Sequence, residues 1–309
     1  MTTPFQNSPK FPVGKFILAG VALLALLLVF KMPKFNQRLQ SKSRIEETKT
    51  AKKESKRIAG EKYKQETESL DIEMIFVEGG TFMMGCTKEQ EGDCVLVLYN
   101  YGLGKDMEFD WERPAHQVTV SSFNIGKYEV TQAQWVAVMG SNPSRIRGNN
   151  LPVHRISWYD AQEFIIRLNE LTGKKYRLPT EAEWEFAARG GNKSQGYKFS
   201  GSNTFTEVAR IVGSASPYPV GSMQPNELGI YNMSGNVREW CNDWFGPYSS
   251  DAKINPRGPA TGDRRIVRGG DVSRADDIFV SIQLLRVSSR NPTLPDRRFT
   301  LNGFRLVHP

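Results

Sequence analysis

The sequence predicts a mixed α/β (α+β) domain with little regular secondary structure, preceded by a transmembrane helix and a charged helical stalk. Three observations carry that expectation. The 309 residues include 27 glycines and 17 prolines, a composition that favours turns and short elements over long helices. One uninterrupted apolar run, Phe16 to Phe30, stands near the start, and a tract rich in Lys and Glu follows it. Beyond residue 73, short alternating stretches are interspersed with three helix-start signatures. The chain divides accordingly into a tail (1–15), an anchor (16–33), a stalk (34–72) and a domain (73–309).

The apolar run becomes long enough to span a bilayer, about 20 residues, once Pro12-Val13-Gly14 and Met32-Pro33 are added and the flanking lysines snorkel. Lys31-Met-Pro-Lys34 follows the run where a cleaved signal peptide would carry small residues, so an uncleaved single-pass anchor is expected. Orientation draws two opposed signals. Lys31, Lys34, Arg38, Lys42 and Arg44 outnumber Lys10 and Lys15, which places the domain in the cytoplasm. Cys86 and Cys94, eight residues apart, suit a disulfide between them and hence an oxidising compartment, which places the domain on the extracytoplasmic side of a bacterial inner membrane. Three reduced thiols are the alternative.

Of the net charge of +8, +6 lies in residues 1–73, with fourteen Lys/Arg against eight Asp/Glu. The domain is thus close to neutral, and a nucleic-acid face on it is not expected. The stalk has fair helix propensity but no apolar stripe wide enough to dock on a core.

In the domain, Met74–Gly85 reads as two short strands joined at Gly79-Gly80, and His116–Ile125 alternates as one strand. Between them the acidic end of an insertion (Asp106, Glu108, Asp110, Glu112) reads as a solvated loop. Thr131-Gln-Ala-Gln134, Ser157-Trp-Tyr-Asp160 and Thr180-Glu-Ala-Glu183 each place a hydroxyl cap three residues before an amide or carboxylate. After the second cap, Ala161, Phe164, Ile165, Leu168 and Leu171 form a single apolar stripe that Gly173 ends. Gly229–Trp244 (GIYNMSGNVREWCNDW) shows no clear period of either kind and reads as a compact, largely buried loop. Asn232 and Glu239 offer hard oxygen ligands there, and the carbonyls of Gly235 and Val237 can complete a calcium shell. The alternative is a structural loop whose polar groups bond one another.

Several motifs, taken together and in order, identify a family. Gly79-Gly-Thr-Phe82, Tyr128-Glu-Val-Thr131, Arg177-Leu-Pro-Thr-Glu-Ala-Glu-Trp-Glu185, Gly235-Asn-Val-Arg-Glu-Trp240, Arg268-Gly-Gly270 and Gly303-Phe-Arg-Leu306 resemble the formylglycine-generating enzyme (sulfatase-modifying factor) family. The resemblance runs from about Met74 to Pro309. It implies a C-type-lectin-like fold and a structural calcium held by Asn232, Gly235, Val237 and Glu239. It also implies copper chemistry that oxidises a sulfatase cysteine, with the copper on two cysteines shortly after Arg-Gly-Gly. Here that stretch carries no cysteine, and Arg274 and Phe279 stand at the nominal positions, so no copper is expected. Asp271 replaces the family's usual serine, and Arg238 replaces the first tryptophan of its Trp-Glu-Trp. The family's iron branch depends on a His-rich domain, whereas this chain has only His116, His154 and His308. No phosphate loop, nucleophile elbow or His-Glu-x-x-His motif is present.

The expectation is a noncatalytic, membrane-anchored binding module that recognises an unknown protein or surface ligand. The surface expected to do so comprises Asp271, Arg274, Asp276, Asp277, Phe279, Arg297, Arg298 and Phe299. Arg286, Arg290 and Arg305 are expected instead to pair with buried carboxylates. Residues 266–309 lack Lys, Glu, Met and Trp, which resembles the variable targets of diversity-generating retroelements, although Gln283 departs from that pattern. A structural or assembly subunit of an envelope complex is the second expectation. An enzyme using Cys241, or a copper oxidase without the usual cysteines, comes last.

Overall fold

The structure is a computed structural model that describes residues 44, 46, 48–54, 70, 72–87, 94, 96–98, 107–211, 216–272 and 278–309. The chain divides into two units, Met1–Lys64 and Gln65–Pro309. In the first, residues 48–54 are helical and exposed. The expected anchor at 16–33 lies outside the described residues. Among the described residues, no helix is long and apolar enough to cross a membrane.

Among its described residues, the second unit is built from short strands and five α-helices. Its strands are β1 (Met74–Val77), β2 (Gly80–Met84), β3 (Leu96–Leu98), β4 (Met107–Phe109), β5 (His116–Val120), β6 (Phe123–Gly126), β7 (Arg238–Trp244), β8 (Lys253–Ile254), β9 (Arg265–Arg268), β10 (Arg290–Thr293), β11 (Asn302–Gly303) and β12 (Val307–His308). The helices are α1 (Gln132–Met139), α2 (Trp158–Thr172), α3 (Glu181–Ala188), α4 (Phe205–Val208) and α5 (Ile278–Leu284). Four small sheets result, ordered β1-β6-β12, β10-β9-β7-β11, β2-β5-β8 and β3-β4.

All three helix caps form as the sequence predicts. Thr131, Ser157 and Thr180 each accept from the amide three residues on, and Gln134, Asp160 and Glu183 return a bond to the cap amide. Each box satisfies two N–H groups that the helix itself leaves unbonded. On α2 the buried face is Ala161, Phe164, Ile165 and Leu168, with Gly173 closing the helix in the left-handed conformation at φ 69°. Phe164 stacks on Trp135 of α1 at 5.2 Å between ring centroids.

Three expectations need correcting. Met74–Val77 and Gly80–Met84 do not pair with each other: β1 joins β6, and β2 joins β5. The 116–125 stretch breaks at Ser121-Ser122 for the same reason, giving one strand to each sheet. The second half of the Gly229–Trp244 motif is not a loop. It is β7, a central strand buried enough that polar Glu239 and Asp243 sit inside with Trp240 and Cys241, which erases any alternation.

Polar burial of this kind recurs. Arg268, Arg286 and Arg305 are among the largest side chains with almost no exposure. Arg268 bonds Glu185 at 2.6 Å and Glu181 at 3.1 Å, Arg290 holds both oxygens of Glu181, and Arg305 holds both oxygens of Glu239. Arg286 takes both oxygens of Glu112. Glu112 is therefore buried, not part of a solvated loop, while its neighbour Asp110 stays exposed. The three arginines expected to pair inside the fold all do so. Removing one partner would leave a charge stranded without water. Glu185→Gln is therefore expected to cost about 3–5 kcal/mol in urea unfolding, because it leaves Arg268 and Arg290 to share the one charge of Glu181 and takes the carboxylate partner from Arg189; a loss below about 1 kcal/mol would show that the pair contributes no more than a surface bridge.

Candidate functional site

The polar loop before β7 closes on itself through side chains. Asn232 and Asn236 both adopt φ of 60°, a left-handed conformation that asparagine tolerates better than most residues. Their amide groups donate to the Glu129 carboxylate, Asn236 at 2.9 Å and Asn232 at 3.2 Å. Glu129 receives only neutral donors in this bonding set and is buried, and burial is the main cause that pushes its carboxyl up to about 7. Glu239 lies nearby in charge terms but is satisfied: Arg305 engages both of its oxygens, and the Trp184 indole donates to one of them at 2.8 Å. Among the four expected calcium ligands, Asn232 Oδ1 is a buried oxygen with no hydrogen-bond partner within the protein, which fits a cation ligand. The Glu239 carboxylate is already neutralised.

The expected recognition surface divides. Arg274, Asp276 and Asp277 lie outside the described residues. Phe279 falls within α5. Arg297 and Phe299 are exposed, Phe299 at 49%, in the run that leads to β11. Arg298 also faces solvent, but its guanidinium is anchored by two 2.7 Å bonds to Asp160, the residue that completes the α2 cap. Arg298 and the Ser157 hydroxyl and amide hold the Asp160 carboxyl below its usual range against the opposing effect of burial.

Asp271 is not a surface residue. It is buried and pairs with Arg238 at 2.7 Å. Two of the positions at which the chain departs from its family pattern, Asp271 and Arg238, thus meet in space. A carboxylate beside the Gly269-Gly270 turn needs a nearby cation, and Arg238 at the start of β7 supplies it. Gly269 itself (φ 88°) admits no side chain, since a Cβ there would lie 2.9 Å from the Met233 carbonyl and 3.1 Å from the Trp184 ring.

A cavity of about 350 Å³ opens at the other end of β7, between Asp243 and the turns that follow it. Its floor is Asp243, Glu181 and Arg290, and its walls include Trp244 and Tyr248. Sequence reasoning did not single it out. The available signal was the Gly-Pro punctuation at Gly246-Pro247 and Gly258-Pro259, which marks turns but not what they enclose. Asp243 is 3% exposed and accepts from the Glu181 amide at 3.1 Å. Burial, and then the neighbouring Glu181 charge, push its carboxyl up to about 8. Arg290 lies over the Tyr248 ring at 3.8 Å, and His116 packs against the same ring. Arg265 lies over Trp244 at 3.5 Å and Trp158 at 4.0 Å and donates to the Asn242 carbonyl, which fixes that wall.

Asp243 takes up a proton on folding between its ordinary value of 3.8 and about 8. Its stabilising contribution is complete at the acid end of that window and is lost as pH rises through the upper value. Asp243→Asn, which imitates the protonated acid, is expected to melt like the parent protein near pH 4 and above it at pH 8. Parallel melting curves at both pH values would show that Asp243 does not titrate in this window.

The cysteines and histidines are dispersed. Cys86 and Cys94 are bonded to each other, with Cα atoms 6.0 Å apart. Cys241 is fully buried, and burial raises its thiol well above the usual range, so it stays protonated and unreactive. His154 is buried against the Pro152 carbonyl and His116 against Tyr248, while His308 sits in β12. Among the described residues no cluster of three or more His, Cys, Asp or Glu is arranged to hold a metal ion.

Comparison with known proteins accords with this arrangement. Residues 59–309 match the family model described as sulfatase-modifying factor enzyme 1-like domain. A chaperone protein LppX of Paenibacillus barcinonensis is 41% identical over 202 residues, covering 48% of this chain and 71% of that protein. The formylglycine-generating enzyme of Streptomyces coelicolor is 36% identical over 198 residues, covering 56% of this chain and 60% of the enzyme. Among solved structures, Treponema denticola variable protein 1 superimposes with a TM-score of 0.63 at 27% identity, over 76% of this chain and 94% of that one. With most of its length matched by the family model and its fold shared with these structures, the chain belongs to the sulfatase-modifying factor family.

Proposed function

We propose that the chain is a noncatalytic binding module of its family, held on a membrane anchor at residues 16–33, and that it recognises a ligand or partner protein through its C-terminal surface. The observation that carries this reading is the disposition of sulfur. The segment from Gly269 to Arg286 contains no cysteine, two of the three cysteines in the chain are bonded to each other, and the third is buried and protonated. That segment thus carries no cysteine pair of the kind that holds Cu(I) in this family, which supports the reading. Arg297 and Phe299, an arginine and an aromatic side by side on a surface run, have the composition of a binding hot spot. The rigid base under them supports the reading, since recognition loops depend on a scaffold that does not move.

The composition of residues 266–309 and the likeness to a protein called variable protein 1 support diversified binding as one form of this function. The likeness to a protein named a chaperone favours a second reading, an assembly subunit that holds a partner protein of the cell envelope. A structural calcium belongs to either reading, with Asn232 Oδ1 as the side-chain ligand and the Gly235 and Val237 carbonyls as the expected backbone ligands. Glu239 contributes as a ligand only if Arg305 shares its carboxylate.

The full chain, supplied with copper, oxygen and a cysteine peptide of sulfatase type, is expected to leave the thiol unchanged by mass spectrometry. An aldehyde product would overturn the noncatalytic reading. Calcium is expected to raise the melting temperature relative to a chelator, and Asn232→Ala to abolish that difference. Equal melting with and without calcium would remove the ion from the proposal.

A further inference from the structure

We propose that a half-buried stack of two tryptophans and one arginine, Trp158–Arg265–Trp244, together with exposed Tyr159, is a docking point for an acidic segment of a partner protein. The inference rests on the binding reading above and carries that surface beyond the C-terminal run to the first turn of α2. Arg265 opens β9 directly across from Trp244, the last residue of β7. Its guanidinium lies 3.5 Å from the centre of the Trp244 ring and 4.0 Å from that of Trp158, and Nη1 donates to the Asn242 carbonyl. The Trp158 indole is fixed in turn by a 3.0 Å bond to the Cys241 carbonyl. The cation is thus held in place before any ligand arrives, which lowers the ordering cost of binding.

The chemistry of the partner follows from what the stack lacks. Four arginines stand on the strands of the β10-β9-β7-β11 sheet, and three have carboxylates: Arg238 with Asp271, Arg268 with Glu185 and Arg290 with Glu181. Among the described residues Arg265 has no such ion pair, and Tyr159 and Asp243 act on it only through space. Its Nη2 makes no hydrogen bond within the described protein and, unlike the buried Nε, keeps accessible surface, so a ligand can reach it. Burial holds the guanidinium below the usual arginine range, the direction expected of a cation with no anion to meet it. A carboxylate at Nη2 would supply that anion through a charge-assisted bond. Tyr159 is 54% exposed with its ring edge-on to Trp158, and Ile166, two turns further along α2, is 53% exposed. The acids beside them are already matched, Asp160 by Arg298 and Glu163 by Arg167. Trp158 also donates its amide to the Pro295 carbonyl at 2.9 Å, so the stack adjoins the run that carries Arg297 and Phe299. A small free anion would meet a single cation on an open surface, whereas a protein segment adds burial of the exposed apolar groups. Tryptophan, tyrosine and arginine are the residues in which such interfaces concentrate binding. A nucleic acid would need several unmatched cations in a row, which this surface does not offer.

Dodecapeptides displayed on phage, selected in parallel on the full chain and on its Arg265→Gln variant, test this. Selection on the parent is expected to enrich Asp or Glu beside an apolar residue, and selection on the variant is not. A synthetic peptide of the enriched sequence should bind the parent about tenfold more tightly than Arg265→Gln or Tyr159→Ala. Arg265→Lys should weaken it as well, because lysine keeps the charge but not the planar stack. Tyr159→Ala alters an exposed side chain, so the test stays decisive if an Arg265 variant melts early. Enrichment of peptides without acidic residues, full affinity in the Arg265→Lys or Tyr159→Ala chains, or tighter binding of single-stranded DNA would overturn the proposal. Arg297→Ala with Phe299→Ala separates the two readings. Binding lost only in that double variant would remove the stack and leave the C-terminal surface, and binding lost only in the Arg265 and Tyr159 variants would do the reverse.

Discussion

Four buried arginines decide how this domain is put together. Arg268, Arg286, Arg290 and Arg305 all come from the last quarter of the chain, and each meets a carboxylate far upstream. The separations are 83 residues for Arg268 to Glu185, 174 for Arg286 to Glu112, 109 for Arg290 to Glu181 and 66 for Arg305 to Glu239. A buried guanidinium without its partner would carry a desolvation penalty of several kcal/mol. Any alternative register of the C-terminal segment would strand several such charges at once. The pairs therefore select one arrangement of the chain more strongly than they stabilise it. This matters because the segment has little regular structure to fix its path: β10 is four residues long, and β11 and β12 are two each.

Helix α3 is the counterpart of that constraint. Glu181 and Glu185, four residues apart, lie on one helical face and are both buried. An acidic residue in the first turn also faces the positive end of the helix dipole, a favourable placement for the Glu181 carboxylate that Arg290 and Arg268 meet. Between them Trp184 reaches across to Glu239, so the helix is coupled to the Arg305 pair as well. One short helix thus joins the floor of the cavity, the Gly269-Gly270 turn and the base of the polar loop.

How much of this was legible in the sequence depended on whether the signal was local. Capping boxes are set by residues three apart, so Thr131, Ser157 and Thr180 could be read directly, and the stripe on α2 with its terminal Gly173 likewise. The pairing of Arg286, Arg290 and Arg305 could be anticipated because arginines inside glycine- and apolar-rich motifs have few other fates. Their partners could not, and Glu112 was misread because an acidic run looks the same whether solvent or one distant arginine neutralises it. β7 was missed for a related reason: a strand whose charged residues are satisfied internally loses the alternation that marks a half-buried strand. Asp271 looked like surface for want of any sign that Arg238, more than thirty residues earlier, would sit against it. The cavity depends on turns meeting across the fold, and no single stretch encodes it.

The Arg238–Asp271 pair shows how the fold tolerates change at the turn. Asp271 alone would bury a charge beside a turn too tight to admit a side chain. With Arg238 it forms an ion pair that keeps Gly269-Gly270 in place. The scaffold around the turn is thus retained while the residues presented there change, and the same separation holds along the rest of the segment. Arg286, Arg290 and Arg305 are locked by carboxylates, whereas Arg297 and Phe299 face solvent without bearing on the core. Residues of one type, within twenty positions of each other, therefore carry opposite tolerances to substitution. A fold that fixes its path with buried pairs and leaves the intervening residues exposed can change those exposed residues without altering how it folds.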